Sequence, residues 1–286
     1  MTDSTLVLFV SDNGPPFLNS KTTLYDSGIH LPLIVRKPNA KPGISNPNMI
    51  SFIDILPSML DWAGLSQDFS TPSSTSPARQ GRSFLPVLET SSVIPEDKWL
   101  HHIFGSHTFH EQQNYWPTRL LRTRRYKYHR NVAFRLDFPL AGDLYASLSF
   151  EAMRNQTKPV MIGNRSLKNY IFRPPEELYD LEQDPQELHN LAGDSAHKEL
   201  LLEMREKLSQ WQKETKDLWL YRDGQSVTML SRYAGDGLEI PDRLDFDVEE
   251  PGTEGVAKTR LLEDGIIEWN GDTIVVWTFE PIDDPY

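Results

Sequence analysis

The sequence predicts a mixed α/β fold in which part of a buried sheet is followed by a smaller α+β unit. Residues 5–10 form an apolar run without alternation, which is typical of a strand buried on both faces. Short runs of strand-forming residues between residues 101 and 181 predict an antiparallel sheet. Residues 195–216 place apolar side chains at helical spacing, which predicts one long amphipathic helix against that sheet.

Composition and charge exclude several classes of protein. The chain has 286 residues, 38% of them hydrophobic, which is enough for a substantial core, and its apolar runs are too short to span a membrane. It contains no cysteine, so disulfides and thiolate metal sites are excluded within it. Residues 232–286 carry −11 of the net charge of −12. The rest of the chain is nearly neutral, and binding to phosphates needs concentrated Lys and Arg, so nucleic acid is not an expected partner.

The first part of the chain combines strands with a helix. The strand at residues 5–10 runs into a dense loop signal at residues 11–16, and a second short strand is predicted at residues 31–36. Residues 51–63 predict a helix that ends at Gly64. Because a parallel strand buried on both faces needs neighbours and only one further candidate follows, we expect additional sheet upstream of this sequence.

The middle of the chain changes to an antiparallel pattern. Its strands are predicted at residues 101–104, 119–123, 126–131 and 177–181. Residues 124–125 are predicted to turn one hairpin, and Ser195 is the predicted N-cap of the long helix. We expect Trp62 and Trp211, which lie among apolar helix residues, to pack in the core.

Three domains are predicted from these changes of pattern. Residues 1–98 form the α/β part, residues 99–219 the α+β unit, and residues 220–286 an acidic tail. Asn270-Gly271 lies between two apolar runs of that tail and predicts a terminal β-hairpin. Residues 66–80 are rich in Ser, Thr and Pro and are predicted to form a surface loop.

Asp12 and Asn13 stand side by side directly after the first strand. A carboxylate and an amide oxygen are hard ligands that suit Ca²⁺ or Mg²⁺, and α/β sheets place their chemistry at the carboxyl ends of such strands. Calcium takes about six to eight oxygens, so two residues supply only part of a site. Their spacing alone favours an ordinary turn, because Asp, Asn, Gly and Pro are common turn residues.

A series of ordered motifs carries a family resemblance. The motifs are Ser11-Asp-Asn-Gly-Pro, Lys21 to Arg36, Ser51 to Gly64, Gly81 to Pro86, the Arg-Thr-x-x-Tyr-Lys-Tyr hairpin at 122–128, and Glu177 to Ala192. In this order they resemble the sulfatases of the alkaline phosphatase superfamily. Within that family the resemblance is greatest to the heparan N-sulfatases, as judged from residues 104–106, 110–111, 138–139 and 211–217.

The resemblance implies a fold and an activity. The fold is α/β: the remainder of an alkaline-phosphatase-like sulfatase sheet plus a smaller α+β subdomain. The activity is hydrolysis of sulfate esters or N-sulfates of sugars, with a sulfated carbohydrate as substrate and Ca²⁺ as cofactor. The family is lysosomal or secreted, which glycosylation sequons at Asn155 and Asn164 favour, although residues 1–15 lack a signal-peptide pattern. Whether the chain forms a homodimer stays open.

The resemblance also implies roles for single residues. Asp12 and Asn13 match the second half of the family's calcium site. Lys21 matches the catalytic cation that contacts the sulfate and the charge developing on the bond that breaks. We therefore expect Lys21 within salt-bridge reach of Asp12, whereas without the motif it would be a solvated loop lysine.

Substrate contacts are implied for His110 and Glu111, which match a His-Glu pair of the heparan N-sulfatases, and His107 is a further candidate. The alternative, weighted evenly, is that they are polar residues at the end of a strand. The basic residues at 119–130 would attract an anionic glycan, but their alternation favours a hairpin with one buried face. Asp54 is interpreted as a capping or surface group.

The sequence departs from the family at its nucleophile. Sulfatases form formylglycine within a Cys/Ser-x-Pro-x-Arg motif, which this sequence lacks; Ser70 to Ser74 imitates the motif without its arginine. We therefore expect the C-terminal part of a sulfatase that is inactive alone. Two alternatives stay open: a non-catalytic glycan-binding or scaffold remnant, and a phosphate-ester hydrolase of the same superfamily. Lys21 and residues 177–192 favour a sulfatase over a phosphatase.

Overall fold

The structure of the chain is a computed structural model. It describes residues 3–65, 80–111, 114–156 and 159–220, and three strands at 259–261, 266–269 and 272–275. Most of the predicted Ser/Thr/Pro-rich loop and most of the acidic tail therefore lie outside the described residues. The described part is mixed α/β, with antiparallel sheets and a long helix, which confirms the predicted fold class. None of its helices is long and apolar enough to cross a membrane.

The secondary structure follows the chain in this order. The strands are β1 (Val7–Val10), β2 (Leu33–Arg36), β3 (His102–Phe109), β4 (Tyr115–Thr123), β5 (Tyr126–Asn131), β6 (Met161–Ile162), β7 (Arg165–Ser166), β8 (Glu176–Asp180), β9 (Thr259–Leu261), β10 (Ile266–Trp269) and β11 (Asp272–Val275). The helices are α1 (Asp26–Ile29), α2 (Ile55–Trp62), α3 (Gly142–Tyr145), α4 (Leu148–Arg154), α5 (Leu167–Ile171) and α6 (Lys198–Glu214). Short 3₁₀ turns occur at Phe52–Asp54, Leu85–Val87 and Ser195–His197.

The central sheet is antiparallel, in the order β3-β4-β5-β8. The predicted strands are confirmed, and the turn at residues 124–125 joins β4 to β5 as expected. Strands β3 and β4 are longer than predicted, because their pairing continues to Phe109 and Tyr115 across a register shift. In the tail, Trp269 pairs with Asp272, which confirms the terminal hairpin, while its two turn residues lie outside the described part.

The strand β1 differs from its prediction. It pairs antiparallel with β2, and the half-buried Leu8 packs against the cluster formed by Phe84, Val87 and Trp99. The side chains of Val7 and Phe9 are 46% and 61% exposed. The prediction of a strand buried on both faces is therefore wrong for the described residues, because they cover only the face that carries Leu8.

The helix predicted at residues 51–63 begins as a 3₁₀ turn and continues as α2. Asp54 caps it, because its carboxylate accepts hydrogen bonds from the backbone N–H groups of Ser51 at 2.9 Å and Arg82 at 3.0 Å. Gly64 follows the helix in the left-handed conformation, with φ of 72°. The prediction that Trp62 packs in the core is wrong, since its side chain is 37% exposed.

The long helix α6 covers one face of the central sheet. The residues that form this core are Leu121, Tyr128 and Leu178 of the sheet and Leu201, Met204 and Leu208 of the helix. Trp211 packs at its edge, stacked on Phe104 with ring centroids 4.8 Å apart. The prediction of Ser195 as the N-cap is wrong, because Ser195 begins a 3₁₀ turn that precedes α6. Asp194 caps that turn by accepting from Ala196 N at 2.9 Å, and His197 stands at the N-cap of α6.

The opposite face of the sheet is partly charged. The Lys127 side chain, on β5, is fully buried there, and its ammonium lies 2.5 Å from Asp26 and 2.7 Å from Glu187. Arg122, on β4, donates to both carboxylate oxygens of Asp26, at 2.9 and 2.7 Å. Burial would raise the pKa of Asp26, but Arg122 and Lys127 lower it well below its usual value. We call Asp26, Arg122, Lys127 and Glu187 the buried ion cluster.

Tyr25 extends this contact between the first part of the chain and the sheet. Its hydroxyl donates to Glu177 at 2.8 Å, and the Arg165 guanidinium lies 4.1 Å from its ring centroid. Burial would raise the pKa of Glu177, but Arg173 and the hydrogen bonds to this carboxylate contribute to lowering it to about 2. Residues 25 and 26 are therefore held onto the sheet by both aromatic and ionic contacts.

Replacing Lys127 with methionine is expected to lower the free energy of unfolding by about 3 to 5 kcal/mol, because Asp26 and Glu187 lose their buried cation. Urea denaturation followed by circular dichroism measures the loss. The matched control is Lys37→Met, since Lys37 pairs with Glu89 at 3.2 Å in a partly exposed bridge worth less than about 1 kcal/mol. Equal losses in the two variants would contradict the special role of the buried ion cluster.

Candidate functional site

An open cleft of about 1240 Å³ lies between the first part of the chain and the edge strand β3. Five of the six side chains singled out from the sequence line it, namely Asp12, Asn13, Lys21, His107 and His110. They come from two regions about 90 residues apart in the sequence. The fold therefore places residues of both regions along one open cleft, while their roles as metal, sulfate and sugar contacts stay predictions.

The segment of residues 11–28, which we call the site loop, is folded tightly on itself. The backbone N–H of Gly14 donates to the carbonyl oxygen of Gly28 at 3.1 Å. A Cβ atom on Gly28 would lie 2.5 Å from the carbonyl oxygens of Ser20 and Thr23, closer than any side chain tolerates. Glycine is thus required at this close approach, and the approach sets the path of the loop around Lys21.

Lys21 forms its ion pair with Asp143 at the start of α3. The Lys21 side chain is 18% exposed and that of Asp143 is 48% exposed, so the pair lies at the surface of the cleft. The hydrogen bond from Lys21 lowers the pKa of Asp143. The expected salt bridge between Lys21 and the Asp12 region is therefore not the one formed, because Asp143 supplies a nearer carboxylate that lies 122 residues away in the sequence.

His107 faces the cleft as a neutral ring. Its Nδ1 lies 3.3 Å from the carbonyl oxygen of Trp116, and its Nε2 is buried with no hydrogen-bond partner among the described residues. Burial lowers the pKa of His107. A neutral ring that donates from Nδ1 keeps an acceptor lone pair on Nε2, which is enclosed by the protein.

Glu111 does not line the cleft but supports it. Both oxygens of its carboxylate lie 3.3 Å from the backbone nitrogen of Gly142, which donates to them. This contact holds the first turn of α3, and with it Asp143, beside the end of β3. The role of Glu111 as a direct sugar contact stays a prediction, while its observed contact is with the segment that carries Asp143.

Asp143, the ion-pair partner of the cleft residue Lys21, is the residue that sequence reasoning missed. It belongs to a four-residue helix in an irregular connection between β5 and β6, and no spacing rule links it to Lys21. Residues 138–139, a few positions earlier, contributed to the family resemblance. They indicated that this connection contributes to the family resemblance, but not that one of its residues pairs with Lys21.

Asp12 and Asn13 fit only part of a calcium shell. Asp12 is exposed, and the Asn13 amide donates to the carbonyl oxygen of Gly14 at 2.9 Å, which leaves its side-chain oxygen available. Within the described ranges, no group of three or more His, Asp or Glu side chains is arranged to hold a metal ion. These two side chains therefore supply two of the roughly six to eight oxygens that calcium takes.

The chain is similar to known proteins over most of its length. Residues 1–65 match the family model described as sulfatase. The chain is 34% identical over 223 residues to N-sulphoglucosamine sulphohydrolase of Homo sapiens, across 76% of this chain and 43% of that protein. The chain belongs to the sulfatase family.

Further relatives of this sulfatase-family chain are more distant. It is 29% identical over 225 residues to an ulvan-active sulfatase of Formosa agariphila, across 76% of this chain and 39% of that protein. A solved 2-O GAG sulfatase superposes with a TM-score of 0.47 at 22% identity, across 74% of this chain and 37% of that one. The chain thus spans less than half the length of these relatives.

In this sulfatase-family chain, the motif at residues 177–192 supports the site loop from behind. Asp184 accepts hydrogen bonds from the backbone N–H groups of Leu188 at 2.6 Å and His189 at 2.7 Å, which closes a turn. Glu187 projects from that turn with φ of 56° and accepts from the backbone N–H of Asp26 at 2.6 Å. Asp184 therefore shapes the turn from which Glu187 holds the site loop.

Calcium is expected to bind at Asp12 and Asn13 with a dissociation constant above about 1 mM, because these two side chains fall far short of a complete shell. Amide NMR shifts of residues 12–14 during a CaCl₂ titration report this site separately from the acidic tail. Asp12→Asn should remove the shifts, whereas the control Asp97→Asn, at an exposed turn, should keep them. Saturation at micromolar calcium would contradict the incomplete shell.

Proposed function

We propose that the cleft binds the sulfated group of a carbohydrate and that this chain takes part in hydrolysis of sulfate esters or N-sulfates of sugars. The observation that supports this most is the meeting of Lys21, His107 and His110 with Asp12 and Asn13 in one cleft. The names of the relatives, a sulphohydrolase of N-sulphoglucosamine and an ulvan-active sulfatase, agree with such a substrate class.

Lys21 is the residue proposed to hold the sulfate. Its ammonium is fixed at the cleft by Asp143, and a sulfate oxygen can approach the N–H groups that this ion pair leaves free. Because the Asp143 side chain is 48% exposed, the pair is weak enough for a ligand to rearrange. During transfer of the sulfuryl group, a fixed cation stabilises negative charge better than water does.

The two histidines are proposed to contact the sugar. Both residues line the cleft, and the exposed His110 lies near Asp143. Hydrogen-bonding side chains beside a cation suit a ligand that combines hydroxyls with one anionic group. A Ca²⁺ ion held partly by Asp12 and Asn13 would neutralise charge on the sulfate.

A lysosomal or secreted destination remains part of the proposal. The exposed Asn164 lies in the turn of the β6–β7 hairpin, within the sequon Asn164-Arg-Ser166. Surface turns of this kind are accessible to glycan attachment. The second sequon, at Asn155, has its threonine outside the described residues.

The purified chain is expected to show no turnover of an aryl sulfate or a sugar N-sulfate with calcium present. Covalent sulfuryl transfer needs an activated nucleophile, and the sequence has neither cysteine nor a Ser-x-Pro-x-Arg motif to supply one. A chromogenic assay over a full day, with a known sulfatase as the positive control, measures this. Calcium-dependent turnover that Lys21→Ala abolishes would show that the expected inactivity is wrong.

Lys21→Ala is expected to weaken binding of glucosamine N-sulfate about ten- to a hundredfold, because hydrogen bonds to a charged group contribute about 1.5 to 3 kcal/mol. Lys21→Arg should retain part of the affinity, since the charge is kept while the geometry changes. Isothermal titration calorimetry or ligand-observed NMR measures the affinity. The control is Lys213→Ala, which removes the same charge from an exposed position on α6. Equal affinity in all variants would remove Lys21 from the proposed site.

A further inference from the structure

Asp143 makes an ion pair that none of the expected roles explains. Its carboxylate binds the Lys21 ammonium, which lowers the pKa of Asp143. The preceding residue, Gly142, is held by Glu111 at the end of β3. A carboxylate is thus fixed directly beside the cation proposed to hold sulfate. A binding site for simple anions would not contain a carboxylate there, because it repels the anion.

We propose that Asp143 is a specificity-determining residue, which makes the cleft reject simple anions and accept sulfated sugars with a hydroxyl or N–H next to the sulfate. The proposal rests on the proposed function, because it assumes that Lys21 holds the sulfate. It adds a repulsive element to that site, and discrimination between ligands often depends on such an element.

The physical reason lies in what each ligand brings to the carboxylate. An inorganic sulfate bound to Lys21 places its negative charge close to Asp143, and the like charges repel each other. A sugar sulfate brings the same anionic group together with hydroxyl or N–H donors on neighbouring carbons. One of those donors can bond to Asp143 while the sulfate takes N–H groups of Lys21, so every charge keeps a partner.

A plain counterion role for Asp143 predicts a different pattern. If the carboxylate only neutralised Lys21, its removal would strengthen the binding of all sulfated ligands alike, by freeing the ammonium. If it also accepts a hydrogen bond from the sugar, its removal strengthens the binding of inorganic sulfate and weakens the binding of the sugar. Whether the affinity for the sugar rises or falls therefore separates the two roles.

The experiment compares inorganic sulfate with glucosamine N-sulfate on the full chain at constant ionic strength, by NMR titration. Asp143→Asn is expected to raise the affinity for inorganic sulfate about two- to fivefold and to lower the affinity for glucosamine N-sulfate by a similar factor. The control is Asp137→Asn, which removes the same charge from an exposed position in the same connection. It should leave the ratio of the two affinities unchanged, and thermal unfolding checks that both variants are folded.

Three results would overturn the proposal. They are an unchanged affinity ratio in Asp143→Asn, a change of the same sign for both ligands, and a wild-type chain that binds neither ligand or does not prefer the sugar. An unchanged ratio in Asp143→Asn, with sugar binding still lost in Lys21→Ala, contradicts only the role of Asp143. Absence of sugar binding in the wild type contradicts the proposed function as well.

Discussion

The rest of the site depends on the buried ion pairs that the Lys127 ammonium forms with Asp26 and Glu187. The ammonium is fully enclosed and lies between two carboxylates, one from the site loop and one from the turn after β8. Taking such charges out of water is costly unless every member finds its partner. A partly formed cluster is therefore worse than a complete one, and the site loop is held in one position rather than in several.

The residues that carry the family resemblance divide into two groups with different tasks. Those of the hairpin and of the 177–192 motif, such as Lys127 and Glu187, act behind the cleft, where they hold the site loop. Those of the loop itself, such as Asp12 and Lys21, line the cleft and are proposed to meet the ligand. A motif that is specific for a family can therefore include residues, such as Lys127 and Glu187, whose contacts hold the site loop.

The sequence predicted the local elements well, because their signals are local. Alternation and turn residues located β3, β4, β5 and β8, and apolar spacing located α6. It failed where the outcome depends on distant partners. Phe9 and Trp62 are exposed because no described residue packs over them, and the partner of Lys21 lies 122 residues away. The spacing of neighbouring residues predicts neither of these outcomes.

The Arg122–Asp26 contact has a consequence for the free-energy balance of the fold. The hairpin contacts of the central sheet join residues a few positions apart, whereas this ion pair joins residues separated by 96 positions. The entropy lost on closing a loop grows with its length, so the long-range contact is the entropically expensive one. Assembling the cleft therefore costs more chain entropy than forming a hairpin, and the contacts of the buried ion cluster offset that cost. The cleft is held from the sheet side, through Arg122 and Lys127.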